Sequence, residues 1–160
     1  MDQQQFLKII DEQQGIIHKI CRLYRNTRED REDLFQDIVF QLWKSIEGFG
    51  GRSKISTWIY CVALHIAIDG FRKKKPKLVF TESVPERPDS YAASEVAEQR
   101  DALMVALQQL EDGEKAIILL YLEDLDYKTM SEILGISENY VGVKLNRIKT
   151  KIQQYIQNNK

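Results

Sequence analysis

The stretch that decides the fold runs from Asp33 to Lys77, and three pieces of it read DLFQDIVFQLW (33–43), GRSKISTWIY (51–60) and ALHIAIDGFRKKK (63–75). In and just beyond the first piece, Leu34, Phe35, Ile38, Val39, Leu42, Trp43 and Ile46 recur at three- and four-residue spacing. That is the period of a helix with one buried face, and it predicts a helix over about 30–47. Gly48, Gly50 and Gly51 stop it. Ser53 or Ser56 is placed to cap a third helix, which runs toward Lys75 and ends before Pro76, whose ring and missing N–H break helices. An amphipathic helix, a glycine break, an aromatic cluster and a run of cations follow one another in this order. They suit a module that holds a large protein partner on one side and nucleic acid on the other.

Working outward, Phe6, Ile9, Ile10, Ile16, Ile17, Ile20, Cys21 and Tyr24 predict an amphipathic helix over roughly 4–24, interrupted by Gly15 at a cost of ~1 kcal/mol relative to alanine. A polar turn, 26–29, follows. Past Lys77 the character changes: Pro76, Pro85 and Pro88 sit among Thr, Ser, Glu and Asp, which reads as a flexible linker over 77–92. From about Ala93 the helical pattern resumes. Val96, Leu103, Leu107 and Leu110 line one helix, 111–113 breaks it, and 115–123 (KAIILLYLE) is a short, nearly all-apolar core helix. An acidic turn at 124–126 leads to helices at 127–134 and from Glu138 to about Gln157. The fold class is therefore all-α: two small helical domains, 1–76 and 93–160, joined by a linker.

The composition is that of an ordinary globular chain, 43% hydrophobic and 29% charged over 160 residues. It contains no apolar run long enough to span a membrane and no signal-peptide pattern, so a cytoplasmic chain that is not membrane-inserted is expected. Two cysteines make no disulfide framework. The net charge of −1 conceals an asymmetry: residues 1–77 carry +4, residues 78–138 carry −10, and residues 139–160 carry +5. Two separate basic surfaces with an acidic stretch between them are the footprint of nucleic-acid contact at both ends.

The C-terminal helices have the spacing of a helix-turn-helix. Met130, Ile133 and Leu134 face a core, Gly135 ends the first helix in a left-handed conformation, Ile136 plugs the turn and Ser137 caps the second helix. Val141, Leu145, Ile148 and Ile152 form its buried stripe. The remaining face presents Ser137, Glu138, Asn139, Tyr140, Val143, Lys144, Asn146, Arg147, Lys149 and Lys151. Asn and Arg read base edges in the major groove, and Lys contacts phosphate.

The two halves together resemble sigma factors of the extracytoplasmic-function (ECF) group. DLFQDIVFQLWKSIEGF followed by GRSKISTWIYCVALHIAIDGFRKKK looks like their promoter-melting domain. ALQQLEDGEKAIILLYLEDLDYKTMSEILGISENYVGVKLNRIKTKI is similar to their promoter-anchoring domain. The resemblance implies that the chain binds core RNA polymerase and promoter DNA, and that an anti-sigma factor, often membrane-anchored in this group, restrains it. It implies core-polymerase contact through Asp33, Gln36, Asp37, Gln41 and Lys44. It implies −10 recognition and melting by Arg52, Ser53, Lys54, Trp58, Tyr60, His65, Asp69, Arg72, Lys73, Lys74 and Lys75, where aromatics stack a freed base and cations track the strand. The face of the second helix of the helix-turn-helix would read the −35 element. The chain departs from the family at His65, where asparagine is common in the base pocket. It departs again at Leu110-Glu111, where a Leu-Pro pair is usual, and at Gly142 and Val143, where small polar residues are common.

Three other readings compete. His18-x-x-Cys21 and Cys61-x-x-x-His65 have ligand-like spacing for zinc, but both cysteines fall on apolar stripes, where a thiol behaves as a small hydrophobe. A helix-turn-helix regulator that is not a polymerase subunit would need a sensing or phosphoacceptor domain, and the N-terminal half has no alternating strand–helix pattern. No catalytic triad, phosphate-binding glycine loop or paired-carboxylate site marks an enzyme. No catalytic role, cofactor or metal is expected.

Overall fold

The computed structural model describes residues 2–74 and 95–158, which form seven α-helices and, among the described residues, no strand. The chain divides into two compact units, Met1–Glu86 and Arg87–Lys160. The expected linker, 77–92, lies outside the described residues.

The first unit holds α1 (Gln3–Tyr24), α2 (Arg28–Phe49) and α3 (Ile55–Lys74), each packed against the other two. A capping box opens α1: Gln5 N–H donates to Asp2 Oδ1 at 2.8 Å, and Asp2 N–H donates to Gln5 Oε1 at 3.3 Å. After α1 the Arg25 guanidinium donates to the carbonyls of Tyr24 (2.9 Å) and Ala67 (3.1 Å), which ties this corner to α3. Arg31 Nε donates to the Arg25 carbonyl at 3.0 Å, which ties it to α2. The helix α2 is longer at both ends than its apolar period predicts. Thr27 Oγ1 accepts from Asp30 N–H at 3.1 Å and starts it early. Gly48 stays helical, and Gly50, at φ 61°, ends it. The expected serine cap of α3 is not formed. Ser53 Oγ donates to the Lys54 carbonyl at 3.3 Å, and Ser56 lies inside the first turn.

Ile17, Ile20, Ile38, Leu42 and Ile59 are fully buried at the centre of this unit, and Ala63 and Ala67 bring α3 close. Two expectations change here. Trp43, assigned to the buried face of α2, lies at its rim, 41% exposed, with its ring centroid 5.0 Å from that of Phe6. Cys61, assigned to an apolar stripe, is exposed, whereas Cys21 is buried.

The second unit holds α4 (Glu95–Gln108), α5 (Asp112–Leu122), α6 (Tyr127–Leu134) and α7 (Glu138–Asn158), with α7 packed against α4, α5 and α6. The apolar run is a core helix, as its composition predicts: Ala116, Ile117, Ile118, Leu119 and Leu120 are all buried. The helix begins before Lys115 because Glu114 Oε1 accepts the Glu111 N–H at 3.1 Å and draws Asp112 and Gly113 into the first turn. Glu114 is itself buried, and its other oxygen accepts from Lys151 Nζ at 2.8 Å. One carboxylate thus caps α5 and ties it to α7. Burial pushes the Glu114 carboxyl up, but the hydrogen bonds from Lys151 and from the Glu111 backbone outweigh it, and its pKa lies below the ordinary value.

Both tryptophans, Trp43 and Trp58, belong to the first unit, so tryptophan fluorescence reports its unfolding separately. Ile38→Ala should cost about 2–5 kcal/mol by that probe, because nothing around a fully buried mid-helix site collapses easily. Glu114→Gln should cost the second unit about 1 kcal/mol at neutral pH, measured by circular dichroism. Because the folded pKa is depressed, the contribution of Glu114 is complete above the ordinary carboxylate value and is lost as pH falls through the folded one. The variant should therefore lose its deficit relative to the parent on acidification. A deficit that does not shrink on acidification would contradict this assignment.

Candidate nucleic-acid and protein interfaces

The helix-turn-helix is built as its residues require. Asp126 Oδ1 accepts from Thr129 N–H at 2.7 Å and starts α6. Gly135, at φ 69°, ends it and donates to the Ser131 carbonyl at 2.9 Å. Ser137 Oγ accepts from Tyr140 N–H at 3.1 Å and starts α7. Met130, Val141, Leu145 and Ile148 are fully buried, while Ile133, Leu134 and Ile152 are half-buried. Gly142 has a packing reason. A Cβ there would stand 3.3 Å from the Tyr127 ring, so its absence lets the start of α6 lie against α7.

With the buried stripe set, the opposite side of α7 presents Glu138, Asn139, Tyr140, Val143, Asn146 and Arg147, all exposed. Val143 is 42% exposed, an apolar side chain amid amides and a guanidinium. Thr150 continues this row and was missed from sequence, although its spacing from Asn146 and Arg147 places it there; its hydroxyl donates to the Asn146 carbonyl at 3.1 Å. Lys144 is half-buried, its Nζ 5.9 Å from the Tyr140 ring centroid. Two expected members of the face turn away from it. Lys149 Nζ lies 4.2 Å from the Tyr121 ring centroid and donates to the Tyr121 hydroxyl at 3.0 Å. Lys151 is engaged with Glu114. Both reach toward α5, Lys149 to Tyr121 and Lys151 to Glu114.

On α2 the residues Asp33, Gln36, Asp37 and Lys44 are exposed on one face, with Gln41 half-buried and donating to Ser45 Oγ at 3.1 Å. In the middle of this face stands Phe40, 62% exposed, with Lys44 Nζ 5.6 Å from its ring centroid. Sequence reading passed over it because it lies off the buried stripe. Its spacing from Asp33, Gln36, Asp37 and Lys44 was the available signal.

The third surface begins at the turn before α3, where Arg52, Ser53 and Lys54 are exposed. Trp58 is half-buried, its ring centroid 5.0 Å from that of Phe49. Tyr60 is 4% exposed and packs in the core, so its ring is not available as a stacking platform. His65 is exposed, and its Nε2 lies 2.8 Å from Asp69 Oδ2 one turn on. Cys61 precedes His65 by another turn on the same side of α3. Arg72, Lys73 and Lys74 belong to the last turn of α3, and Lys75 lies outside the described residues.

The zinc-like pairs are not assembled. His18 stacks on Phe35 with ring centroids 4.7 Å apart, Cys21 is buried and Cys61 is exposed. Burial pushes the Cys21 thiol up to about 11 against the opposing fields of Arg25, Arg31 and Arg22. No group of three or more His, Cys, Asp or Glu among the described residues is arranged to hold a metal ion. No helix among them is long and apolar enough to cross a membrane.

Comparison with known proteins joins these surfaces. Residues 9–77 match the family description Sigma-70 region 2, and residues 100–152 match Sigma-70, region 4. The chain is 30% identical over 111 residues to the ECF RNA polymerase sigma factor SigM of Bacillus subtilis, covering 67% of this chain and 68% of SigM. It is 24% identical over 169 residues to SigW of the same organism, covering 97% of this chain and 90% of SigW. Among solved structures, the sigma factor RpoE of Bartonella quintana, in complex with the anti-sigma factor NepR, shares the fold at TM-score 0.73 and 20% identity, covering 96% of this chain and 95% of that one. CnrH, in complex with the cytosolic domain of CnrY, does so at 0.73 and 15%, covering 99% of this chain and 92% of that one. The chain belongs to the ECF RNA polymerase sigma factors, subunits that bind core RNA polymerase and direct it to promoters.

Proposed function

We propose that the two halves divide this work, with domains at 1–76 and 93–160 and a linker over 77–92. The observation that carries the reading is the exposed row Asn139, Val143, Asn146 and Arg147 on a helix-turn-helix whose other side is buried. A rigid helix presenting amides, a guanidinium and an apolar group in one row has the chemistry to read base edges in the major groove. This row, with Ser137, Glu138, Tyr140, Lys144 and Thr150, contacts the −35 element.

In the first domain, the outward face of α2 docks on core polymerase. Asp33, Gln36, Asp37, Gln41 and Lys44 supply polar contacts, and Phe40 supplies an apolar anchor of the kind that dominates interface energetics. Arg52, Ser53, Lys54, Trp58, His65, Asp69 and the cations 72–75 hold the −10 strand. At the base pocket His65, paired with Asp69, takes the asparagine's place, with a ring that donates and accepts in a different shape. The chain acts in the cytoplasm and catalyses nothing itself; polymerase makes the RNA. The similar fold of RpoE, solved with the anti-sigma factor NepR, supports a partner of that kind, which holds the chain inactive.

The division of labour predicts separable defects. Arg147→Ala should weaken binding of the holoenzyme to −35 DNA by about 1–3 kcal/mol and leave core affinity unchanged. Asp37→Arg should do the reverse. Phe40→Ala should weaken core binding by more than ~1 kcal/mol without lowering the thermal midpoint, since the ring is largely exposed. Fluorescence titration of labelled chain with core polymerase, then of holoenzyme with a promoter fragment, measures both. Equal loss of core binding in Arg147→Ala and Asp37→Arg would sink the division.

A further inference from the structure

The helix α7 turns its aliphatic side chains inward with one exception. Val141, Leu145 and Ile148 are buried, and Ile152 and Ile156 are half-buried. Val143, the sixth residue of the helix, is 42% exposed. One turn away on either side stand Asn139, Tyr140, Asn146 and Arg147, all exposed and all carrying hydrogen-bonding groups. A single apolar side chain on a surface is ordinary. This one stands at the centre of a polar row, in the part of the second helix of a helix-turn-helix that meets base edges.

On the side toward α6, Gly142 contributes no side chain, and Tyr127 closes the space beside it, since a Cβ there would stand 3.3 Å from the Tyr127 ring. Position 142 therefore adds no polar group next to Val143. Valine is also branched at Cβ, and a helix holds it in essentially one rotamer, so its two methyls are presented at little cost in entropy. Thr150, the other β-branched residue of the outer row, has the same shape but donates its hydroxyl back to the Asn146 carbonyl at 3.1 Å. Val143 has no polar atom to spend in either direction.

We propose that Val143 reads the 5-methyl group of a thymine in the −35 element. Resting on the reading that this row enters the major groove, the assignment adds the identity of one base. In that groove guanine, cytosine and adenine present hydrogen-bonding atoms, and thymine adds a methyl. A side chain without donor or acceptor gains nothing from the polar atoms, and pressed on a cytosine amino group it would strip that donor of water without replacing the bond. Its gain comes from burying methyl against methyl, worth about fourfold in affinity for one methyl. 5-Methylcytosine carries a methyl at the same place and satisfies the same contact.

The test uses holoenzyme formed from the full chain and core polymerase. Duplexes randomised over the −35 region are selected by holoenzyme binding, and each thymine of the selected element is then exchanged for deoxyuridine, which lacks only the methyl. One exchange should weaken binding by about fourfold. Val143→Ser removes both methyls from an exposed site and should bind the thymine and deoxyuridine duplexes alike. With cytosine at that position, 5-methylation should tighten the parent's binding by about the same factor and leave Val143→Ser unchanged. A selected element bound equally with thymine and deoxyuridine at every position overturns the methyl contact alone. So does a deoxyuridine penalty that persists in Val143→Ser, or no gain from 5-methylation. No shared element, or parental DNA affinity in Arg147→Ala, overturns the reading of the helix-turn-helix and the methyl contact with it.

Discussion

Each unit depends on one buried stripe that fixes a helix's rotation about its own axis. In the first unit the stripe is Leu34, Ile38, Leu42 and Ile46 on α2; in the second it is Val141, Leu145 and Ile148 on α7. A helix advances about 100° per residue, so once one stripe is committed to the core every other side chain has its direction assigned. Asp37, Phe40 and Lys44 face out because Ile38 and Leu42 face in. Asn139, Val143 and Asn146 face out because Val141 and Leu145 face in. Function rests on this rotation more than on any single polar contact: a slip of one residue would replace Val143 with Lys144 on the outer row.

The same stripe explains what was legible in the sequence. Three- and four-residue spacing predicted the helices of both units, and the turn glycine and cap serine at Gly135 and Ser137 marked the helix-turn-helix through local chemistry alone. Tertiary effects were not legible. Lys149 and Lys151 lie beside the outer row by spacing, yet Tyr121 and the buried Glu114 draw them toward α5. These partners sit 28 and 37 residues away in the chain, beyond any local pattern. Tyr60 was misplaced for a related reason: it stands between the fully buried Ile59 and the exposed Cys61, and only its tertiary packing decides that it is buried. Phe40 shows the opposite failure: an apolar residue off the stripe reads as noise until its exposure is known.

Charge is arranged in layers. The first unit presents cations both at the turn before α3 and along a groove between α1 and α2, while its α2 face is mixed in sign and carries an aromatic centre. The second unit retires two of its basic residues into contacts with α5 and leaves Arg147 as the exposed cation of the outer row, with Lys144 half-buried at its edge. The outer row offers amides, one guanidinium and one apolar side chain, a set suited to reading bases. Cations alone would give affinity without sequence preference.

The central claim is that this chain carries core polymerase to promoters and that the outer row of α7 selects them. Run-off transcription on fragmented genomic DNA, with core polymerase alone and with the chain added, tests it directly. The account predicts discrete new start sites that share an upstream element, with Asn146→Ala and Val143→Ala redistributing transcripts among sites while core binding is kept. No start sites beyond those of core alone, or an unchanged set of sites in both variants, would contradict it.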